Sequence, residues 1–449
     1  MSFAEIPEGA AALPSVRPRP AALGLRGALL FAAVAGAIVL SGVMQGWNTA
    51  LLILNFGLVS AIMSLGVNLQ WGFAGLFNIG VMGFVALGGL AAVLVGMPPT
   101  QAAVAAGGWR MLLALAVGAG VIAGGVLAWR RTRSGLLTAA ILVAGFYLFR
   151  ALFDPAVAAI EAVNPARTGY LGGLGWPVIL AWPIGGLLAA AAAWLIGKTA
   201  LGLRSDYLAI ATLGIAEIVI AVLKNEDWLA RGVKNVVGLP RPVPYEVQLQ
   251  ADAGFVERAA GLGLDPVTAS TLWVKVLYAG LFAAVLAVLL ILAQLALNSP
   301  WGRMVRAIRD NETAAEAMGK NVTRRHLQIF VLGSAILGVA GAMMTTLDGQ
   351  LTPTAYQPLR FTFLVWVMVI VGGSGNNWGA VLGGFVIWIL WVQVEPVALW
   401  AVSAMTENMD PGFLRDRLIE SAAHMRLLTM GIVMLLVLRF APKGLIPER

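Results

Sequence analysis

Residues 271–297 read "TLWVKVLYAGLFAAVLAVLLILAQLAL", a run in which Lys275 is the one charged side chain. About 20 such residues cross a bilayer as a helix, and the run is too long for a buried strand. Soon after it, residues 306–327 read "RAIRDNETAAEAMGKNVTRRHL", a dense mixture of bases, acids and amides. The first stretch calls for lipid and the second for water, so the chain leaves the membrane between them.

The same alternation extends outward in both directions. Apolar runs fall at about 28–45, 49–69, 77–97, 110–129, 135–153, 176–197, 205–223, 271–297, 327–347, 360–373, 378–396 and 426–441. The expected fold is all-α and polytopic, with about 10–12 membrane segments and a short cytoplasmic helix. Composition agrees. Of 449 residues 59% are hydrophobic and 12% charged, about half the charged share of a soluble domain.

The net charge of +8 does not indicate nucleic acid, because the bases are scattered between apolar runs. Keeping Lys and Arg on the cytoplasmic side explains them better. With the N-terminus inside, "RRTRS" (130–134), "KTALGLR" (198–204), the loop 298–326 and the tail "PKGLIPER" (442–449) all face the cytoplasm. Residues 1–27, rich in Pro and Ala, lack the features of a cleaved signal peptide and read as a flexible cytoplasmic tail. A transmembrane domain of residues 28–441 follows. Its longer polar segments, 224–270 and 397–425, face outward as surface caps or as a docking surface.

Several enzymatic readings are excluded or weak. The absence of cysteine removes disulfides, thiolate metal sites and cysteine nucleophiles, and His326 and His424 are too far apart to suggest a metal pair. "AWLIGKTALG" (193–202) ends like a phosphate loop, but Ala192 stands where its first Gly belongs, and the run reads as a spanning helix. No ATP site is expected in this chain. "GVMGFVALGG" (80–89) and "GVIAGGVLAW" (120–129) place small residues on helix faces, as close packing requires.

Intramembrane carboxylates remain. In "SDYLAIATLGIAEIV" Asp206 and Glu217 are separated by about three turns and share one face. An ionised acid as deep as Glu217 costs about 2.5–3.5 kcal/mol without a partner, water or a proton. It either serves the transport path or makes a structural polar bond.

The polar island resolves residue by residue. Trp301, Met304, Val305 and Ile308 form one helical stripe, while Arg303, Arg306 and Asp310 lie off it. Thr313 and Glu316 then have capping-box spacing, and Gly319 suits a left-handed stop. The expected helix has fewer than two turns, a small alanine face and marginal stability alone. Such an element persists when packed against something, and a knob for a cleft on a soluble partner explains it better than a solvated loop.

These residues carry a resemblance. "GRMVRAIRDNETAAEAMGKNVTRRHLQIFVLGSAILGVAGAM" resembles the cytoplasmic signature loop of ABC-importer permeases, in particular the larger permease subunit of the branched-chain (hydrophobic) amino acid uptake family. "RSDYLAIATLGIAEIV" (204–219), "GGSGNNWGAVLGG" (372–384) and "NLQWGFAGLFNIGVMGF" (68–84) match it as well. Departures are Thr313 in place of the signature acid, "ARGVKNVVGL" (230–239) in place of a Gly-rich turn, Val81 where many relatives have His, and a diverged segment 98–170.

The resemblance implies an all-α polytopic permease that works by alternating access, without catalytic residues or cofactors of its own. ATP and Mg would be held by two partner ATPase subunits. A second homologous permease, an extracytoplasmic solute-binding protein and the bilayer of a bacterial inner membrane complete the assembly. The ATPase-coupling residues would be Arg309, Asp310, Asn311, Glu312, Thr313, Ala314, Ala315, Glu316, Met318 and Gly319. Asn68, Asn78, Asp206, Thr212 and Glu217 would line the translocation pathway. The solute would be a branched-chain or related neutral amino acid, with urea or short amides as the nearest substitute. A stand-alone proton- or ion-coupled transporter using Glu217 and Asp206, or a passive channel, are the rivals from other classes.

Overall fold

The computed structural model describes residues 24–448, apart from 204, 408, 410, 411 and 423. Most of the expected N-terminal tail, residues 1–23, lies outside the described residues. Each apolar run folds as a helix, because no other open structure satisfies its backbone inside a bilayer. In chain order these are α1 (Leu25–Gln45), α2 (Trp47–Val67), α3 (Val81–Gly96), α4 (Trp109–Thr132), α5 (Gly135–Glu161), α6 (Ala181–Ala200) and α7 (Ser205–Asn225). Then come α8 (Pro266–Asn298), α9 (Pro300–Asp310), α10 (Glu312–Ala317), α11 (Val322–Asp348), α12 (Pro358–Gly372), α13 (Asn377–Met405), α14 (Phe413–Ala422) and α15 (Met425–Phe440).

Among the described residues, nine helical stretches are long and apolar enough to cross a membrane. The apolar helices α3, α12 and α15 are shorter, at 16, 15 and 16 residues. The chain is a multi-pass membrane protein.

Helices α2, α3, α6, α11, α12 and α13 form the centre, and glycines set their spacing. A Cβ added to Gly88 of α3 would land on the carbonyl oxygen of Gly338 in α11, and one on Gly341 would land on that of Val85. Backbones this close exclude any side chain, as expected for packing that small residues drive. The similar-looking motif at 120–129 behaves otherwise. Gly120 and Gly124 face open space, and Gly125 meets only the side chain of Leu142. Helices α4 and α5 pack mainly on each other and join the rest at one end, where Phe153 meets Trp228 edge-on at 5.8 Å.

Helix α13 continues through the apolar residues 397–405 to Met405, beyond Pro396. Helix α11 starts inside the polar stretch 298–326, where Asn321 caps it by accepting from Arg324 N at 2.9 Å. The segment 224–270 holds short helices and one two-residue strand. Its strand β1 (Val236–Val237) pairs antiparallel with β2 (Gln350–Leu351), fixing it to the far end of α11 from the loop.

Candidate functional site

Helix α9 leaves α8 through Ser299 and starts with Pro300, which suits a first helical position. Val305 and Ile308 are buried along the expected stripe, and Trp301 and Met304 are half-buried. Arg303 and Arg306 reach back to the carbonyls of Asn298 and Leu297 at 3.3 and 3.0 Å, where α8 leaves acceptors unpaired.

The start of α10 corrects the sequence expectation. Asn311, not Thr313, is the N-cap, and its side chain accepts from Ala314 N at 2.9 Å. Helix α9 ends at Asp310 and leaves Asn311 extended, which is the backbone an N-cap needs, and Asn caps at least as well as Thr. Thr313 and Glu316 therefore sit inside the helix, two turnless residues too late to form a box. The stop is as expected: Gly319 takes φ +75°, Gly319 N donates to Glu316 O at 2.8 Å, and Lys320 N donates to Ala315 O at 3.1 Å. This is a Schellman ending.

Only one side of α10 is covered. Ala315 packs with Ile308 of α9 and Val322 of α11. Glu312, Thr313, Ala314, Glu316, Met318 and Gly319 are exposed, Met318 by 77%. Asp310 and Asn311 are exposed too.

Arg309 points the other way. Its guanidinium donates to Gly72 O and makes a two-pronged pair with Glu448 at 3.0 and 3.1 Å, with Asp310 beside it at 3.2 Å. Partial burial lowers its pKa, but the bonds to Glu448 and Asp310 outweigh that and hold it above the ordinary arginine value. The C-terminal segment is thereby docked. Leu445 N and Ile446 N donate to Val371 O and Gly372 O at 2.9 Å, and Asn376 Nδ2 donates to Pro447 O at 3.1 Å. Nothing local in the sequence marks Glu448 as a partner for a residue 139 positions earlier.

Gly72 ends a π-helical turn, Asn68–Gly72, that continues α2. Beyond it the chain is irregular until α3, so its polar groups need partners within the bundle. Asn68 donates to Asn377 Oδ1 at 3.1 Å and accepts from Gly375 N at 2.9 Å. Asn78 donates to Gln70 Oε1 and accepts from Gly80 N, both at 2.8 Å. Gln70 donates to Phe330 O at 2.9 Å and Ser334 Oγ at 3.0 Å. Thr212 accepts from Ile79 N at 3.1 Å. Asn68, Asn78 and Thr212 are thus all buried, in three separate sets of bonds around the break between α2 and α3. Gln70, Ser334 and Asn377 belong to these sets and were missed, although Gln70 lies inside the quoted motif at 68–84.

Asp206 and Glu217 stand apart from these sets. Both are exposed, Asp206 in the first turn of α7. Glu217 lies about 140° around α7 from Thr212 and lines a groove between α7, α12, α13 and α15. Among the described residues no group of acids and histidines is placed to hold a metal ion.

Comparison with known proteins adds the following. The family described as branched-chain amino acid transport system / permease component matches residues 135–438. The high-affinity branched-chain amino acid transport system permease protein LivM of Escherichia coli (strain K12) is 29% identical over 295 residues, which are 64% of this chain and 61% of that protein. The protein of the same description from Salmonella typhimurium is 28% identical over the same shares. The xylose transport system permease protein XylH of Escherichia coli (strain K12) is 24% identical over 355 residues, 74% of this chain and 72% of that protein. The matched region thus spans about three fifths of each LivM protein. No solved structure matches the chain.

Proposed function

The chain belongs to the branched-chain amino acid transport permease family, and from that premise we propose that it is the larger membrane permease of an ATP-driven ABC importer. Its solute is a branched-chain or related neutral amino acid. It pairs with a second, homologous permease in a bacterial cytoplasmic membrane, with both termini on the cytoplasmic side. Two cytoplasmic ATPase subunits hold ATP and Mg and carry out the hydrolysis. An extracytoplasmic solute-binding protein delivers the amino acid to the outer face.

The observation that carries this reading is α10, a six-residue helix capped at both ends and covered on one side. A helix this short has little stability of its own, and its exposed Ala314, Ala317 and Met318 offer a small apolar face for a cleft. Closure of the ATPase pair pushes α10, which moves with α9 through Ile308 and Ala315. Arg309 passes the displacement to Gly72, at the break between α2 and α3, and through Glu448 to the turn between α12 and α13. The broken helices are the parts of the bundle that can shift without breaking an unbroken helical ladder. Alternating access then needs no chemistry in this chain.

Mild detergent purification with identification of the bound subunits tests the assembly. Recovery of an ATPase pair and a second permease is expected. A chain that purifies alone and accumulates solute on a proton gradient after ATP depletion contradicts it.

A further inference from the structure

Three charged groups that the coupling path does not use share one groove. Glu217 and Lys224 of α7 and Arg360 of α12 line a cavity of about 530 Å³. Among the described residues none of the three side chains forms an ion pair, although Arg426, over the Trp391 ring at 4.9 Å, does so with Glu395. The rest of the lining is mostly apolar and includes Phe363, Val367, Trp391 and Met430. Arg360 stacks over the Trp391 ring at 5.2 Å, which steers its guanidinium without neutralising it.

The spacing carries chemical information. Glu217 and Lys224 are seven residues apart on one helix face, about 10 Å along the axis, beyond the three- or four-residue spacing of a direct helical ion pair. A bound ammonium–carboxylate pair, with a charge-assisted hydrogen bond at each end, spans about 8–9 Å. Lys224 and Arg360 lie toward the end of the bundle opposite the coupling loop, and Glu217 lies deeper. A carboxylate at that depth needs a partner or water, and none of the described residues pairs with it.

We propose that this groove reads the zwitterionic head of a neutral α-amino acid: Glu217 takes the ammonium, Lys224 and Arg360 take the carboxylate, and the wall of Phe363, Val367 and Met430 takes an aliphatic side chain. The assignment rests on the importer reading above and names the residues that meet the solute. It separates amino acids from uncharged solutes such as urea or sugars, which leave all three charges unpaired. It also accounts for a carboxylate that the buried network around Asn78 does not absorb.

The test uses the assembled complex in proteoliposomes with L-leucine, the binding protein and ATP. Glu217→Gln and Arg360→Gln are each expected to lower leucine uptake about tenfold, the equivalent of one charge-assisted hydrogen bond, with stimulated ATP hydrolysis retained. Wild-type uptake by both variants, in a complex whose native form accumulates leucine with ATP, overturns the groove and leaves the importer reading intact. Failure of the native complex to accumulate any neutral amino acid overturns both. Should a variant fail to assemble, Phe363→Cys decides, since the natural chain has no cysteine. A membrane-impermeant maleimide is expected to label it, and leucine with ATP to suppress the labelling. Absence of labelling, or labelling that leucine leaves unchanged, counts against the site.

Discussion

Helices α2 and α5 are similarly apolar, yet 78% of the most apolar window of α2 is buried and only 6% of that of α5. Hydropathy therefore places both in the membrane without placing either in the bundle. The difference lies in two kinds of residue. Around α2, α3 and α11, glycines meet backbone carbonyls, and buried amides satisfy an interrupted helix. In the α4–α5 pair, glycines meet the ends of movable side chains such as Phe149 and Leu142, or nothing. The centre is packed backbone to backbone and bonded through Arg309 to the polar loop at 298–321, and the pair is attached at its side.

Leucine substitutions at matched glycines give the largest contrast. Gly88→Leu drives four carbons into the Gly338 backbone, which cannot give way. A loss of more than about 4 kcal/mol is expected, read as failure to accumulate folded protein in the membrane. Gly120→Leu meets open space and is expected to change thermal stability by less than about 0.5 kcal/mol. Equal tolerance at both sites would break the comparison.

Arg309→Ala is the next in size. It removes the pair with Glu448 and the bond to Gly72 from a partly buried position, at a cost of about 2 kcal/mol. Uptake should fall more than ATP hydrolysis does, and Glu448→Gln should reproduce part of the effect. Parallel loss of both activities would assign the pair to stability alone.

The smallest effects come from two helix caps. Asn311→Ala and Ser134→Ala each remove one cap, on α10 and α5, for about 1 kcal/mol of local stability or less. Only Asn311→Ala is expected to lower uptake, by a few-fold, because the proposed coupling runs through α10 and not through α5. Equal transport by the two variants would show that the loop and the side pair contribute alike.

Much of this was legible in the sequence, and the failures have physical causes. Length and apolarity located each membrane helix, since the bilayer leaves the backbone few choices. The stop at Gly319 was legible because a positive φ favours glycine. The start of α10 was misplaced by two residues: Asn311 and Thr313 both suit a cap, and where α9 ends decides between them. The partner of Arg309 was not legible, because a contact with Glu448 leaves no periodic trace. Gln70 could have been found, since an amide in an apolar run beside glycines needs a partner.

The most direct measurement concerns Gly319, whose φ of +75° proline cannot adopt. Uptake and ATP hydrolysis are measured together in proteoliposomes carrying Gly319→Pro. A complex that still inserts and hydrolyses ATP but accumulates little solute is predicted, because the end of α10 no longer fits its cleft. Solute accumulated per ATP at the native ratio would contradict the claim that energy enters through this helix.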